Sequence, residues 1–172
     1  MNATSDKAED DSIVIALGSN LAGGHATCEA LLEAALAALP AHGLTVRARS
    51  GWWRSAAWPD PGLPAYVNGV ALVETGLTPR QTLGALHAVE RDFGRDRHEP
   101  NAARTLDLDL IAWRRLVVEA DGLVLPHPRA RDRRFVMGPL AEIAPDWRHP
   151  ATGETAKALA ARATVGADAA PI

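Results

Sequence analysis

Cysteine is nearly absent from this chain: Cys28 is the only one in 172 residues. A lone thiol cannot form an internal disulfide, so a reducing compartment, the cytoplasm, is expected. Cys28 sits in a strongly helical stretch, where a core or surface role is expected rather than a nucleophilic one. A basic excess is missing too. Eighteen Lys and Arg face twenty-one Asp and Glu, for a net charge of −3. General nucleic-acid binders usually carry the opposite sign, so no nucleic-acid partner is expected. No apolar run approaches the roughly 20 residues that span a bilayer, so no membrane partner is expected. The start, Met1 to Asp11, is polar and acidic, unlike the basic-then-apolar order of a secretory leader.

What is present is ordinary for a globular domain: 47% apolar and 23% charged residues. No internal repeat or interior linker is visible. One domain over 12–163 is expected, with loose tails at 1–11 and 164–172. The second tail is rich in Ala and Gly and holds Pro171.

Ser12-Ile-Val-Ile-Ala-Leu17 is apolar and β-branched without alternation, which predicts a strand buried on both faces. From His25 to Leu39, Leu32, Leu36 and Leu39 share one helical face, and Pro40 and Gly43 close the segment. Leu44 to Trp53 alternates as a second strand. Arg54 to Pro64 holds three prolines and reads as a loop, and Tyr66 to Glu74 as a third strand. Thr78-Pro-Arg-Gln81 has the residues of a capping box with Pro at the first helical position. That helix is expected to reach Phe93, with Leu83, Leu86, Val89 and Phe93 inward and Gly94 ending it. A polar loop leads to a fourth strand, Thr105 to Trp113. A hairpin over Leu116–Val118 and Gly122–Leu125 follows, then short helices near Arg129–Phe135, Pro139–Ile143 and Thr155–Ala163. Strand, helix, strand, strand, helix, strand predicts a ferredoxin-like α+β fold. Its antiparallel sheet would carry helices on one face, with a C-terminal hairpin and helices added.

The most informative segment is Arg104-Thr-Leu-Asp-Leu-Asp-Leu-Ile111. Side chains two apart in a strand share a face, so Asp107 and Asp109 point one way. Leu106, Leu108 and Leu110 point the other way, toward the helices. Adjacent carboxylates repel, and a hard divalent cation with phosphate ligands would offset that repulsion. An exposed sheet face with two solvated aspartates is the other reading. Arg95, Arg97 and Arg104 flank the strand, and Arg129, Arg131, Arg133 and Arg134 follow. Guanidinium forks suit phosphate oxygens; singly each Arg reads rather as a solvated surface charge, but two groups of them bracket the same-face Asp pair. His127, between Pro126 and Pro128, could donate to a phosphate or simply cap a turn. Trp52, Trp53, Trp58 and Tyr66 surround Asn68. Such aromatics could sandwich a flat heterocycle while the Asn amide reads its edge. Core packing is the plainer account of Trp52 and Trp53.

These segments occur together in a known order. Ile15-Ala-Leu-Gly-Ser-Asn-Leu21, Tyr66-Val-Asn-Gly-Val-Ala71, Arg104-Thr-Leu-Asp-Leu-Asp109 and Val124-Leu-Pro-His127 are followed by Arg133-Arg-Phe-Val136 and Pro139-Leu-Ala-Glu-Ile-Ala-Pro145. Over residues 12–160 the chain resembles the 6-hydroxymethyl-7,8-dihydropterin pyrophosphokinases of folate biosynthesis. The resemblance implies transfer of pyrophosphate from ATP to the pterin hydroxymethyl group, with release of AMP. It implies two Mg²⁺ ions on Asp107 and Asp109, with Arg97 and Arg104 as further catalytic residues. Glu90, Arg97, Arg104, Leu110, His127 and Arg133 match ATP-binding positions. Gly18, Ser55, Trp58, Tyr66, Asn68 and Phe135 match the pterin pocket, with Asn68 on the amide-like edge and Phe135 stacked on the ring. A cytoplasmic monomer is implied, with the two small molecules as its only substrates. The loop after Gly94 lacks the family's usual aromatic, having Asn101-Ala-Ala103 there, and the bulky Trp58 could cover the second pterin face instead.

Two other classes fit these residues less well. A ferredoxin-like RNA-binding module would also display aromatics on central strands. The Asp107–Asp109 face would repel its phosphates. A D-x-D sugar transferase would need a parallel nucleotide-binding domain, for which there is no room.

Overall fold

The structure, a computed structural model, describes residues 9–57, 59–94 and 105–172. Strand β1 (Ile13–Ser19) leads to helix α1 (Cys28–Ala38) and a 3-10 turn (Leu39–His42). Strands β2 (Thr45–Arg49), β3 (Trp53–Ser55) and β4 (Tyr66–Glu74) come next, then helix α2 (Pro79–Asp92) and strand β5 (Asp107–Trp113). A small hairpin, β6 (Val118–Ala120) and β7 (Leu123–Leu125), precedes α3 (Arg134–Ile143), α4 (Ala156–Arg162) and a short β8 (Ala170–Pro171). The main sheet runs β5-β1-β4-β3-β8, with β2 also on β4, and its strand pairs are antiparallel. The result, among the described residues, is a mixed α/β fold with an antiparallel sheet and four helices.

Local chemistry sets the helix ends. The Thr27 hydroxyl accepts from the Ala30 N–H at the start of α1. At α2 the predicted capping box is complete: Gln81 N–H donates to Thr78 Oγ1, and Thr78 N–H donates to Gln81 Oε1. Such caps are worth about 1 kcal/mol each. Gly94 ends α2 at φ +82, a left-handed conformation open to glycine at little cost.

The sheet is covered on both faces, not one as expected. Ile13, Ile15 and Leu17 pack with Leu31, Leu32, Leu36, Leu86 and Val89 of α1 and α2. Val14, Ala16, Val70, Ile111 and Ala112 pack with Val136, Met137, Leu140 and Leu159 of α3 and α4. The unbroken apolar run of β1 has this cause: successive side chains enter different cores. The C-terminal helices are therefore the second layer of the sandwich.

Three further expectations are corrected. The strand expected over Leu44–Trp53 is two strands. At the break, Gly51 N–H goes to Glu142 Oε1 and Val70 N–H goes to Ser50 Oγ, so side chains replace ladder partners. The helices expected at Arg129–Phe135 and Pro139–Ile143 become a 3-10 turn (Ala130–Asp132) and one helix, α3, that runs through Pro139. Proline supplies no N–H there, and buried Val136, Met137 and Leu140 hold the helix across the gap. Finally, 164–172 is not loose. Arg134 N–H donates to the Val165 carbonyl, Ala169 is 2% exposed, and β8 pairs with β3. Residues 1–8 of the expected N-terminal tail lie outside the described residues, and Asp10 accepts from Arg148 N–H.

Two tryptophans fix β3 from opposite sides. Trp52 Nε1 donates to Glu33 of α1 (3.1 Å), and Trp53 Nε1 donates to Glu142 of α3 (2.8 Å). Trp52 lies so close to Gly69, and Trp53 to Gly138, that an added Cβ would meet either ring at 2.5 Å. Both rings are structural, in line with core packing.

Candidate active site

The apolar layer under α3 and α4 stops partway along the sheet. Beyond it, the same face of adjacent strands carries polar side chains. In the register, Gly18 of β1 is opposite Asp107 of β5 on one side and Asn68 of β4 on the other. Ala16 is likewise opposite Asp109. The row continues from Asn68 to Trp53 of β3, and Tyr66 is opposite Ser55. Asp107, Gly18, Asn68, Tyr66 and Ser55 thus share one surface.

The smallness of Gly18 is part of the design. A Cβ there would stand 3.3 Å from Asn68 Oδ1. Two strand spacings, about 10 Å, separate the backbones of Asp107 and Asn68. The carboxylate and the amide therefore cannot meet each other, but a substrate group can lie between them. Asp107 and Asp109 are half-buried, and Leu106, Leu108 and Leu110 on the opposite face are 0–4% exposed. That alternation is the predicted one.

Asn68 is 5% exposed and donates through Nδ2 to Ser55 Oγ at 2.9 Å. This bond orients the amide, with Oδ1 toward Gly18, and leaves one N–H and the carbonyl oxygen able to read a ligand edge. On the other side, Asn20 Nδ2 donates to the Pro64 carbonyl, tying the turn after β1 to the entry of β4.

His127 is drawn to β5 from the hairpin side. Its N–H donates to the Ile111 carbonyl at 2.8 Å, beside an irregularity in the β1–β5 register. Such bulges are common next to functional sites. His127 Nδ1 accepts from Arg129 N–H. An accepting Nδ1 places the proton of the neutral ring on Nε2, leaving one N–H donor. Burial lowers the His127 pKa to about 4; Arg133 and Arg129 also lower it, and Asp107 opposes them. Asp107, His127 and Arg133 are therefore electrostatic neighbours.

That shift has a measurable consequence. Between pH 6.5 and about 4 the unfolded chain binds a proton at His127 that the folded chain does not. Stability then rises with pH across this window and is lost as pH falls through it. His149 shifts in the same direction, from burial first and then Arg131, so the contrast needs a variant. His127→Gln is expected to reduce the loss of stability between pH 6.5 and 4, by on the order of 1–2 kcal/mol after discounting for solvent screening. Urea unfolding of metal-free protein at the two pH values reads it; identical slopes would contradict the assignment.

The remaining expected site residues divide. Arg133 and Phe135 stand together at the start of α3, the guanidinium 5.6 Å from the ring centre. Glu90 is fully buried and accepts the Leu108 N–H, so it holds the edge strand between the two aspartates. The Leu110 side chain is 4% exposed and packs in the core under α1 and α2, on the face that the strand alternation predicts. Arg134, one of the suspected phosphate arginines, instead holds the Ala169 and Ala160 carbonyls. Arg97, Arg104 and Trp58 lie outside the described residues. Sequence reasoning missed Glu142 and Asp168, which anchor β3 and the loop after it. Glu142 belongs to a recognised segment, but nothing in its neighbourhood signals a tryptophan partner.

Among the described residues, no group of three or more His, Cys, Asp and Glu could hold a metal by itself. Two carboxylates on one face fit a different donor set, that of Mg²⁺, which takes one or two protein carboxylates plus substrate phosphates and water. A concavity of about 750 Å³ opens at the opposite end of the sheet between Arg47, Glu74 and Arg114. Its Arg47 and Glu74 pair with each other, and the Asp107–Asp109 pair is not part of it.

An antiparallel sheet between two helical layers, with paired carboxylates, a neutral histidine and an oriented amide at one end, defines a class: a small α/β domain with its polar side chains gathered at one end of the sheet. The chain belongs to the 7,8-dihydro-6-hydroxymethylpterin-pyrophosphokinase (HPPK) family, whose model matches residues 14–145. It is 44% identical over 126 residues to the 2-amino-4-hydroxy-6-hydroxymethyldihydropteridine pyrophosphokinase of Synechocystis, covering 73% of this chain and 62% of that protein. It is 38% identical over 138 residues to the enzyme of the same name from Pseudomonas aeruginosa, covering 80% of this chain and 83% of that one. The fold is similar to the Plasmodium falciparum HPPK-DHPS crystal structure with SDX-DHP, at TM-score 0.64 and 11% identity, covering 87% of this chain and 43% of that one. Among the described residues, no helix is long and apolar enough to cross a membrane.

Proposed function

We propose that this chain transfers the pyrophosphoryl group of ATP to the hydroxymethyl oxygen of 6-hydroxymethyl-7,8-dihydropterin and releases AMP. Family membership supports the reaction. The single observation that carries it to these residues is the row Asp107–Gly18–Asn68, which sets a carboxylate and a heterocycle-reading amide on either side of a glycine gap.

In this reading the pterin lies over Gly18 with its amide-like edge on Asn68. Ser55 holds that amide in place, Tyr66 borders the ring, and Phe135 covers one face. The hydroxymethyl oxygen then points along the row toward β5. A bond forms from this oxygen to the β-phosphorus, the bridge between the α- and β-phosphates breaks, and AMP departs. Asp107 and Asp109 would hold two Mg²⁺ ions, which when bound neutralise the triphosphate and align it with the acceptor. The residues around them do the rest. Arg133 and His127 Nε2–H donate to phosphate oxygens, and Arg97 and Arg104 add charge as the transferred group passes. A neutral His127 suits this role across the physiological range, since it offers a fixed donor without a titrating charge. Glu90 acts at one remove, by fixing the backbone of β5 between the aspartates.

The strand order β5-β1-β4-β3 supports reading the central sheet as ferredoxin-like. A cytoplasmic monomer fits the same reading.

The test is direct. The protein is mixed with ATP, Mg²⁺ and the pterin, and the nucleotides are separated. AMP that forms only when the pterin is present supports the reading; ADP, or AMP without pterin, contradicts it.

A further inference from the structure

The segment 165–169 lies beyond the stretch matched by the family model, and it joins two parts of the proposed pterin pocket. At one end, Val165 N–H donates to the Asp132 carbonyl, and Arg134 N–H donates to the Val165 carbonyl. Gly166 then lies against Phe135. It adopts φ +66, and an added Cβ would meet the Phe135 ring at 2.5 Å. At the other end, Asp168 Oδ2 accepts the Ala56 N–H at 2.7 Å. Arg134 Nε donates to the Ala169 carbonyl and fixes the turn between them. Ala169 N–H donates to the Gly166 carbonyl, closing that turn.

We propose that Asp168 and Gly166 are positioning residues for the pterin pocket, an inference that rests on the function proposed above. The Asp168–Ala56 bond fixes the backbone directly after Ser55. Ser55 Oγ in turn accepts from Asn68 Nδ2 and sets which way that amide faces. Gly166 supports the Phe135 ring from behind, because only a residue without Cβ fits there. The strap thus sets the spacing between the group that reads the pterin edge and the group that stacks on its face. Asp107 and Asp109 lie on β5, at the other end of the strand order from β3 and β8, so the effect of the Asp168–Ala56 bond falls on one substrate.

The test compares wild type with Asp168→Ala, Asp168→Asn and Gly166→Ala. Asp168→Ala is expected to raise the pterin KM roughly tenfold, the scale of one lost charge-assisted hydrogen bond. The ATP KM should stay within about twofold, since distant sites act independently. Asp168→Asn keeps an oxygen that can accept from Ala56 N–H and should restore most of the pterin affinity. Gly166→Ala should raise the pterin KM, and no rise would overturn the role of Gly166; the ATP KM is read on the Asp168 variants, because Arg133 lies 5.6 Å from the Phe135 ring centre. Amide exchange at Ala56 should accelerate in Asp168→Ala and not in Asp168→Asn. The proposal is overturned if Asp168→Ala moves both KM values together or neither, or if Asn is no better than Ala. A wild-type protein that neither binds the pterin nor makes AMP would instead sink the reaction proposed above. The Ala56 exchange comparison would still decide whether Asp168 holds the loop.

Discussion

Asp107→Ala is expected to lower pterin-dependent AMP formation by at least about a thousandfold, the scale at which charge stabilisation of a transferring group is lost. Asp107 shares a face with Asp109 and sits opposite Gly18, so no other described carboxylate occupies its place in the row. The fold should survive. Asp107 is half-buried, and strand β5 is held by Leu106, Leu108 and Leu110 on the opposite face and by Glu90 at the Leu108 N–H. Circular dichroism and the urea midpoint should therefore change little, which separates a lost site from a lost fold. Asp107→Asn is the sharper variant: it keeps the shape and one acceptor oxygen but removes the charge. It should be nearly as inactive as Ala. If Asn retained most of the activity, hydrogen bonding rather than charge would be the role of this residue. Asp107 also opposes the depression of the His127 pKa. Either variant should push that pKa further down, and NMR titration of the ring would read it.

Asn68→Ala is expected to lower kcat/KM for the pterin by roughly a thousandfold with little change in the ATP KM. Sites built to hydrogen-bond a polar ligand edge lose orders of magnitude when the partner is removed, because buried groups are left unpaired. Here the loss is double. The pterin edge loses its reader, and the Ser55 hydroxyl loses the Nδ2–H it accepts in a buried place. Asn68→Asp tests the same point differently. It keeps the shape but presents a second acceptor to Ser55 and no donor to the ligand, so it should fare little better than Ala. Steady-state kinetics with each substrate varied in turn checks both. An equal loss in the ATP and pterin constants would contradict the placement of Asn68 in the pterin half of the row.

Much of this arrangement is legible in the residues themselves. The unalternating apolar run Ile13–Leu17 predicts burial on both faces, and the cause is that β1 lies between two helical layers. The same signal argues against helices on one face alone. The alternation of Leu106, Asp107, Leu108, Asp109 and Leu110 is enough by itself to place both carboxylates on one face. That alternation also places the Leu110 side chain in the core, as expected.

The C-terminal segment is illegible for a physical reason. Residues 164–172 are mostly small, and they dock through hydrogen bonds, most of them to the backbone, and through the missing Cβ of Gly166. Neither leaves a hydrophobic period to read. The Trp52 and Trp53 clamps are half legible: their packing is expected, but their carboxylate partners come from separate helices, 19 and 89 residues away. The split of the second strand has a similar origin, since Glu142 reaches Gly51 across 91 residues. Long-range side-chain bonds of this kind overrule local propensity without marking it.

The most direct measurement of the central claim follows the phosphorus atoms. ATP carrying distinguishable labels at its β- and γ-phosphates is incubated with the protein, Mg²⁺ and 6-hydroxymethyl-7,8-dihydropterin. If the pterin oxygen attacks the β-phosphorus, both labels pass to the pterin together and the AMP carries neither. If only the γ label passes and the β label stays in ADP, the group transferred is a single phosphate, and the role assigned to the Asp107–Gly18–Asn68 row is wrong.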